Sequence, residues 1–558
     1  MRFLPINDRA LLVELTNLEH TLALFAALNT QSIAGIEQII PAAKTLLVHY
    51  SPWITTPTRL ARQIARCDLS AKLLKQGKHL AIPVHYCGED LSDVAEYLGM
   101  TTAQLITRHT ESLYQVAFTG FAPGFAYMIA PDAQINVPRR KTPRTRIPAG
   151  SVALAGEFSG IYPQASPGGW QLIGKTDMAM WDIDRAEPAL LKPGYQVSFY
   201  NADQAPPTIS LPTIDSTENS RVLSATPASQ NTAMTDKETP SSIVGLTLLS
   251  VGLQTLYQDA GRAGQAALGI SASGAMDKQA LHSANRAVGN PPDTVCLEIT
   301  QGGFRAQAEC DMLIAITGAT GAIELVTADQ QVHALPSYQP VHLSCGDQLI
   351  LGQLTSGVRR YLAVRGGFAV SPILGSCSYD SLANVGPAPL KVGEQIAINS
   401  RVWSLSQHSS PLSAVSLTEM PAFRYPTSEE ITVLDIYLGP RTDWFTAQAL
   451  ERLLQQSWQV TPASNRIGLR LSAEHGLSRS QTQELPSEGT CLGAIQVPAD
   501  GQPVLFLHDH PLTGGYPVIA TVAEYHIDLA GQIPINGRIR FNPISQFNEI
   551  NKGSANDE

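Results

Sequence analysis

Residues 167–176 read Pro-Gly-Gly-Trp-Gln-Leu-Ile-Gly-Lys-Thr, and they contain G-x-x-x-x-G-K-T, the spelling of a phosphate-cradling loop. Such a loop grips phosphate only when a buried strand precedes it and a helix follows. Glycine N–H groups and the helix N-terminus then converge on the anion. Here Trp170 and Leu172, then Met178 and Met180, alternate as in strands, and Pro188 and Pro193 interrupt the region where the helix would run. The stretch also recurs. Thr513-Gly-Gly-Tyr-Pro-Val-Ile-Ala520 repeats its first eight positions, and each copy follows a related small-residue run, Pro148-Ala-Gly-Ser-Val-Ala-Leu-Ala-Gly156 and Pro486-Ser-Glu-Gly-Thr-Cys-Leu-Gly-Ala-Ile495. In the second copy Gly174, Lys175 and Thr176 become Ala520, Thr521 and Val522. What is shared is a Gly-Gly turn entering a strand, so the stretch reads as β-structure and the two halves are expected to share a barrel type.

The whole chain, 558 residues with 44% hydrophobic content, exceeds one core. Roughly three to five domains are expected. A net charge of -10 and a pI near 5.7 provide no basic field for nucleic acid or an anionic membrane. The seven cysteines are scattered without C-x-x-C, which suggests neither a disulfide framework nor a zinc ribbon, but a reducing compartment. Asp8 and Arg9 break the first apolar run, and no later run approaches the ~18 residues of a membrane span, so a cytoplasmic protein is expected. With only 15% charged residues but 43 Gly and 38 Pro, the chain reads as short strands joined by turns.

The fold class expected is mainly β with a small α/β N-terminal domain. Strands at Ala10–Leu15, Gly35–Ile40 and Thr45–His49 alternate with helices at Leu18–Leu28 and Thr56–Cys67, giving the α/β domain over 1–80. Helices at Asp90–Leu98 and Thr102–His109 open a β-barrel over 81–204. Residues 205–242 are rich in Ser, Thr, Pro and Asn without a period and read as a linker between independently folding halves. Two further barrels are expected over 243–400 and 401–545, with helices at Met276–Val288 and from about Asp443 to Gln456, before a polar tail over 546–558.

Three runs in the first half carry a resemblance: Phe118-Thr-Gly-Phe-Ala-Pro-Gly-Phe-Ala-Tyr127, Thr142-Pro-Arg-Thr-Arg-Ile-Pro-Ala-Gly-Ser151 and Gly160 to Gly174. They resemble the family of allophanate hydrolase subunit 1, which includes the B subunit of bacterial 5-oxoprolinase and a sporulation-kinase inhibitor. The second half is similar to allophanate hydrolase subunit 2, or the C subunit of 5-oxoprolinase, through Gln258-Asp-Ala-Gly-Arg-Ala-Gly264, Ser273-Gly-Ala-Met-Asp277, Val364-Arg-Gly-Gly-Phe368, Ser464-Asn-Arg-Ile-Gly468 and Gly493-Ala-Ile-Gln-Val-Pro498. The resemblance implies cyclophilin-like β-barrels, one in the first half and a tandem pair in the second. It also extends to the carboxyltransferase region of urea carboxylase. Three departures bear on the substrate: Asp509-His-Pro-Leu-Thr-Gly-Gly-Tyr516 stands where the family commonly has Asp-x-Gln-Thr-Thr-Gly-Gly-Tyr, Gly375-Ser-Cys-Ser-Tyr lacks an arginine, and Lys175 replaces an arginine.

The reaction implied by the resemblance is the ATP-dependent opening of 5-oxo-L-proline to L-glutamate, with Mg²⁺ and a separate partner like the A subunit of 5-oxoprolinase. A homo-oligomer is compatible with it. Two other readings stay open: a carboxyltransferase acting on a urea-like amide with a separate biotin carrier, and a non-catalytic regulator of a histidine kinase. Lactam activation needs cations for phosphate and donors for carboxylate. Arg139, Arg140, Lys141, Arg144 and Arg146 form the richest cationic run, within which the resemblance favours Arg144 for catalysis and Arg146 for binding. Asp259, Arg262 and Asp509 are the other catalytic candidates. Phe121, Gly124 and Phe125 wall a small pocket or pack a barrel mouth; Gln258 joins the polar loop at Asp259; Asp277 binds ligand or caps a helix. Asn465 and Arg466 suit carboxylate binding or a turn, and Lys175 faces substrate or solvent. No metal ligands are singled out.

Overall fold

A computed structural model describes residues 1–69, 77–130, 134–140, 142, 144–204, 242–399, 419–481 and 483–550. The expected linker, apart from Ser242, therefore lies outside the described residues, as do the 400/401 boundary and Lys141.

The N-terminal unit is a four-stranded antiparallel sheet in the order Arg2–Asn7, Ala10–Glu14, Thr45–Tyr50, Ile36–Pro41. Helices Leu18–Thr30, capped by Asn17, and Pro57–Ile64, capped by Thr56, accompany it. Strand residues alternate faces. Leu11, Val13 and Val48 pack with Leu24, Leu60 and Ile64 of the helices, whereas Leu12 and Leu47 point the other way, onto Ala494, Phe506 and Val518 of the second half. The two halves thus share an apolar cluster. The start of the expected polar tail is also docked, since Ile550 bridges Phe3 and Phe547 packs at the same interface.

The first-half barrel runs Gln171–Lys175, Ser151–Ala155, Phe158–Ile161, Ala126–Ile129, Leu113–Thr119, Gln196–Asn201, His79–Val84. A single bridge between His85 and Lys175 seals it, with both N–H···O bonds at 2.8 Å. The apparent phosphate loop is therefore the seam of a barrel. The Lys175 N–H donates to the His85 carbonyl and the Thr176 N–H to the Gly150 carbonyl, so these amides are closed to an anion. Gly174 is required at the seam because a Cβ there would stand 2.7 Å from the His85 carbonyl oxygen. Backbone cannot yield as a flexible side chain would, so Gly174→Ala is expected to cost about 1–3 kcal/mol by overpacking. Urea denaturation checks this against Lys175→Ala, whose side chain is 54% exposed; equal stabilities would refute the seam.

The last barrel repeats this plan. It is closed in the order Ile431–Leu438, Val518–Val522, Ala494–Gln496, Val504–Phe506, Gly468–Ser472, Trp458–Val460, Arg538–Ser545. In both barrels the first strand is parallel to the last and all the other pairs are antiparallel. The repeated Gly-Gly turns occupy equivalent places: Ser166–Gly168 pairs with Arg144–Ile147, and Thr513–Gly514 with Glu488–Gly489. Of the expected tandem pair, the middle unit is a nine-stranded sheet built on two long strands, Met312–Val326 and Gln348–Val364.

The helix expected from Asp443 to Gln456 is divided. A 3₁₀ turn at Thr442–Trp444 leads to extended Phe445, and Thr446 then caps helix Ala447–Gln455 by accepting from the Ala449 N–H. A short helix, Ile527–Gly531, falls where only strands were expected. Among the described residues, no helix is long and apolar enough to cross a membrane.

Helix Thr102–Glu111 covers the first barrel through His109, which is wholly buried. Its ring nitrogens meet the Tyr86 hydroxyl at 2.8 Å and Ser159 Oγ at 3.2 Å. Burial pushes its pKa down to about 3. Between the unfolded value of about 6.5 and that folded value, only the unfolded chain takes up this proton. The contribution of His109 is thus present above about pH 6.5 and lost progressively toward pH 3. Relative to the parent, His109→Gln should lose less stability between pH 7 and 5, by up to about 1.4 kcal/mol per pH unit. Parallel pH dependences would refute this.

Candidate functional site

A cavity of about 500 Å³ joins the two halves. One wall comes from the first barrel. Phe121 adopts φ 65° and Gly124 φ 76°, and this tight turn is fixed to the second half by the Gly124 N–H donating to the Leu268 carbonyl at 3.3 Å. The turn sets Phe121 edge-on to Phe125 at 5.3 Å and to Tyr162 at 6.1 Å, while Phe125 meets Trp170 edge-on at 5.3 Å. The opposite wall is the second repeat, Thr513 to Tyr516. Thr513 Oγ1 lies 3.4 Å from the Tyr127 hydroxyl.

A Cβ on Gly168 would collide with the Tyr162 hydroxyl, and one on Gly515 with the Arg139 guanidinium. The repeat visible in sequence is thus two facing lips of one cavity.

Three guanidinium groups line it: Arg139, Arg140 and Arg479. Arg140 is neutralised by a short pair with Asp90. Arg139 Nη2 donates to Ser487 Oγ at 2.9 Å, and Arg479 Nη2 to the Val497 carbonyl at 2.6 Å. Among the described residues, neither Arg139 nor Arg479 has an ion-pair partner, although Glu484 also lines the cavity. Burial pushes the Tyr162 phenol up, so it remains a neutral hydroxyl. The cavity offers flat apolar walls, positive charge and hydroxyl donors, which suit a small planar anion. Among the described residues no His or Cys lines it, and so no imidazole base stands there beside the hydroxyls.

The sequence-derived candidates separate into three places. Phe121 and Phe125 line the cavity, and Gly124 forms its turn. Arg144 stands at the first-barrel ribbon, where Nη1 and Nη2 each donate to Asp90 at 2.9 Å and Nη2 also donates to Glu89 at 2.9 Å. Burial raises the Asp90 pKa, but Arg144, the Leu172 N–H and Arg140 outweigh it and hold the carboxylate below its usual range. Because the Arg144 fork is occupied by a structural carboxylate, Arg144→Lys is expected to lower stability by about 1–2 kcal/mol while leaving substrate KM unchanged. A KM defect at unchanged Tm would reverse that assignment. Arg146 on the same strand is exposed, and Lys175 points to solvent, 3.3 Å from Asp177.

Most of the remaining candidates cluster in the polar core of the second half, while Asn465 is exposed. Arg466, 3% exposed, holds Asp509 with Nε at 2.9 Å and Nη2 at 3.1 Å, and reaches Glu298 with Nη1 in a short pair. Asp509 also accepts from Ser273 Oγ at 2.6 Å and Ser381 Oγ at 2.7 Å. Burial opposes its ionisation, yet Arg466 and these donors hold its pKa low. Asp259 holds the loop at Ser376, Cys377 and Ser378, to which Arg262 donates through the Ser378 carbonyl. Gln258 donates to the Tyr379 carbonyl at 2.9 Å. Asp277 caps helix Lys278–Ala287 through the Ala280 N–H at 2.9 Å, and burial pushes its pKa up to about 7. Asn465 forms an Asx turn, accepting from the Ile467 N–H at 2.9 Å. All of these groups lie outside the lining of the cavity.

Sequence reading passed over Tyr162, Gln496 and Arg479, although the repeat itself pointed to the place. Residues beside the two copies were the signal.

Comparison with known proteins divides the chain into the same two halves. Residues 1–191 match the family described as carboxyltransferase domain, subdomain C and D, and residues 268–543 match carboxyltransferase domain, subdomain A and B. The first half is 37% identical over 212 residues to the B subunit of 5-oxoprolinase from Haemophilus influenzae, covering 36% of this chain and 97% of that protein. The second is 33% identical over 299 residues to the C subunit of 5-oxoprolinase from Escherichia coli K12, covering 53% of this chain and 90% of that protein. The chain belongs to the carboxyltransferase-domain family that includes the B and C subunits of 5-oxoprolinase. Within this family it unites B-like and C-like parts. The crystal structure of TTHA0988 has the same whole-chain arrangement, with a TM-score of 0.73, 29% identity, and coverage of 96% of this chain and 99% of that one.

Proposed function

We propose that the chain is the fused B and C component of a cytoplasmic, ATP-dependent 5-oxoprolinase, which opens 5-oxo-L-proline to L-glutamate together with a separate A subunit. The observation that carries this reading is the shared cavity: its B-like wall supplies the aromatic rings and Arg139, and its C-like wall supplies the Gly-Gly lip and Arg479. A flat lactam ring bearing a carboxylate matches aromatic walls with unpaired guanidinium groups. The residues of the chain bind and orient the ring and exclude water from its faces. The carbonyl of an unstrained lactam needs activation, which phosphorylation of its oxygen would supply, with Mg²⁺ arriving on the nucleotide.

Because, among the described residues, no His or Cys stands in the cavity to serve as imidazole base or thiol nucleophile, the reading assigns part of the chemistry to the A subunit. Glutamate and ADP are to be measured with the purified chain, 5-oxoproline and MgATP, with and without the A subunit from the same organism. Turnover only with the partner is expected. Robust turnover by the chain alone refutes the division of labour, and none with the partner returns the question to the carboxyltransferase and regulator readings.

A further inference from the structure

The aromatic cavity has a polar neighbour. A second hollow, of about 580 Å³, opens beside it and is lined by Arg452, Glu474, His475 and Ser478 with the backbone around Gly476 and Gly501. The two hollows share only Arg479 and Ala499 as lining residues. Arg479 is held as a partition. Its guanidinium lies 5.7 Å from the centroid of the Tyr516 ring, Nη2 is fixed on the Val497 carbonyl at 2.6 Å, and Nε is buried with no acceptor.

Resting on the lactam reading above, we infer that this second hollow receives the polyphosphate of a metal-complexed nucleoside triphosphate, with Arg479 lying across the phosphoryl group as it passes between the two chambers. Phosphoryl transfer requires donor and acceptor to be adjacent, with a cation on the equatorial oxygens in the transition state. One guanidinium bordering both chambers meets that requirement, and Arg452, His475 and Ser478 add donors on the nucleotide side. Two carboxylates border the same hollow. The Glu474 side chain is 89% exposed and lies 4.0 Å from His475, and Asp500 Oδ1 accepts from the Gln502 N–H at 3.0 Å. Their charge disfavours a bare polyphosphate and favours one carrying a divalent cation.

In the step itself, a lone pair of the lactam oxygen forms a bond to the γ-phosphorus. The bond from phosphorus to the β,γ-bridging oxygen breaks, and its electron pair leaves with the nucleoside diphosphate. Water then adds to the activated carbon, the C–N bond breaks as nitrogen takes a proton, and a second water releases phosphate from the resulting acyl phosphate.

The test is equilibrium binding of MgADP to the full chain mixed with the A subunit, read with a fluorescent ADP analogue, alongside separate titration with 5-oxoproline. Arg452→Ala is expected to weaken MgADP by about tenfold or more while leaving lactam affinity unchanged. Arg479→Ala should weaken both ligands and lower kcat by about a thousandfold, with Arg479→Lys intermediate; the lysine variant serves if the alanine variant does not fold. Removing Mg²⁺ should weaken ADP in the parent protein. Lactam turnover with nucleotide affinity indifferent to both arginines would overturn the placement and leave the 5-oxoprolinase reading standing. Nucleotide binding lost in both variants, without lactam turnover in the parent, would uphold the hollow as a nucleotide site and sink the reading of the reaction. No MgADP binding by the mixture overturns the inference.

Discussion

Arg466→Met is expected to destabilise the protein by about 3–5 kcal/mol, because it removes the cation from a buried set of charges while leaving the anions in place. Asp509 and Glu298 are both fully buried, and Arg466 contacts each. After the substitution Glu298 retains Arg359 at 3.6 Å and the Tyr361 hydroxyl at 2.8 Å, but Asp509 keeps only neutral donors. A methionine fills much of the arginine volume, so the loss reports charge rather than a cavity. Urea unfolding and Tm measure it, and Arg466→Lys, which keeps the charge without the fork, should fall between. A change below about 1 kcal/mol would show that the network does not hold the second-half units together.

Arg139→Ala is expected to lower kcat/KM for 5-oxoproline by about a hundredfold in the presence of the A subunit, within the 2–5 kcal/mol span for truncating one member of a buried charged hydrogen bond. The argument is geometric. Among the described residues Arg139 has no ion-pair partner and a single side-chain hydrogen bond, to Ser487 Oγ, while its guanidinium lines the cavity. Two controls separate binding from scaffold. Ser487→Ala removes the hydrogen bond but not the charge, and its effect should stay within about threefold. Gly515→Ala leaves Arg139 in the sequence but places a methyl where its guanidinium lies, and should reproduce most of the loss. Unaltered kinetics in Arg139→Ala and Gly515→Ala would remove the arginine from the site.

Much of the secondary structure was legible because its signals are local. Asn17, Thr56, Thr101, Asp277 and Thr446 each accept from an N–H at the start of a helix, and each stands as a Ser, Thr, Asp or Asn before an amphipathic run. The joined helix at 443–456 failed for an equally local reason: Thr446 marks a new start that an unbroken apolar period conceals. The candidate site was legible only in part. The Phe121 to Phe125 turn and the repeated Gly-Gly lips announce themselves by composition, whereas Arg144 looked free because its partner Asp90 lies in a different segment.

From sequence alone came the strand character of Gln171–Lys175, the doubling of its Gly-Gly turn and the family to which both halves are similar. Those follow from a two-residue period, from the absence of room for a helix before Pro188, and from self-similarity, all properties of contiguous residues. Tertiary structure alone decided why strand Ala10–Glu14 is apolar on both faces, which carboxylates Arg466 meets, and that two lips 346 positions apart close on one cavity (513 − 167). The physical reason is that charge pairing and shape closure depend on which surfaces the folded chain brings within a few ångströms. A local pattern marks a residue as buried or charged without naming what it will be buried against.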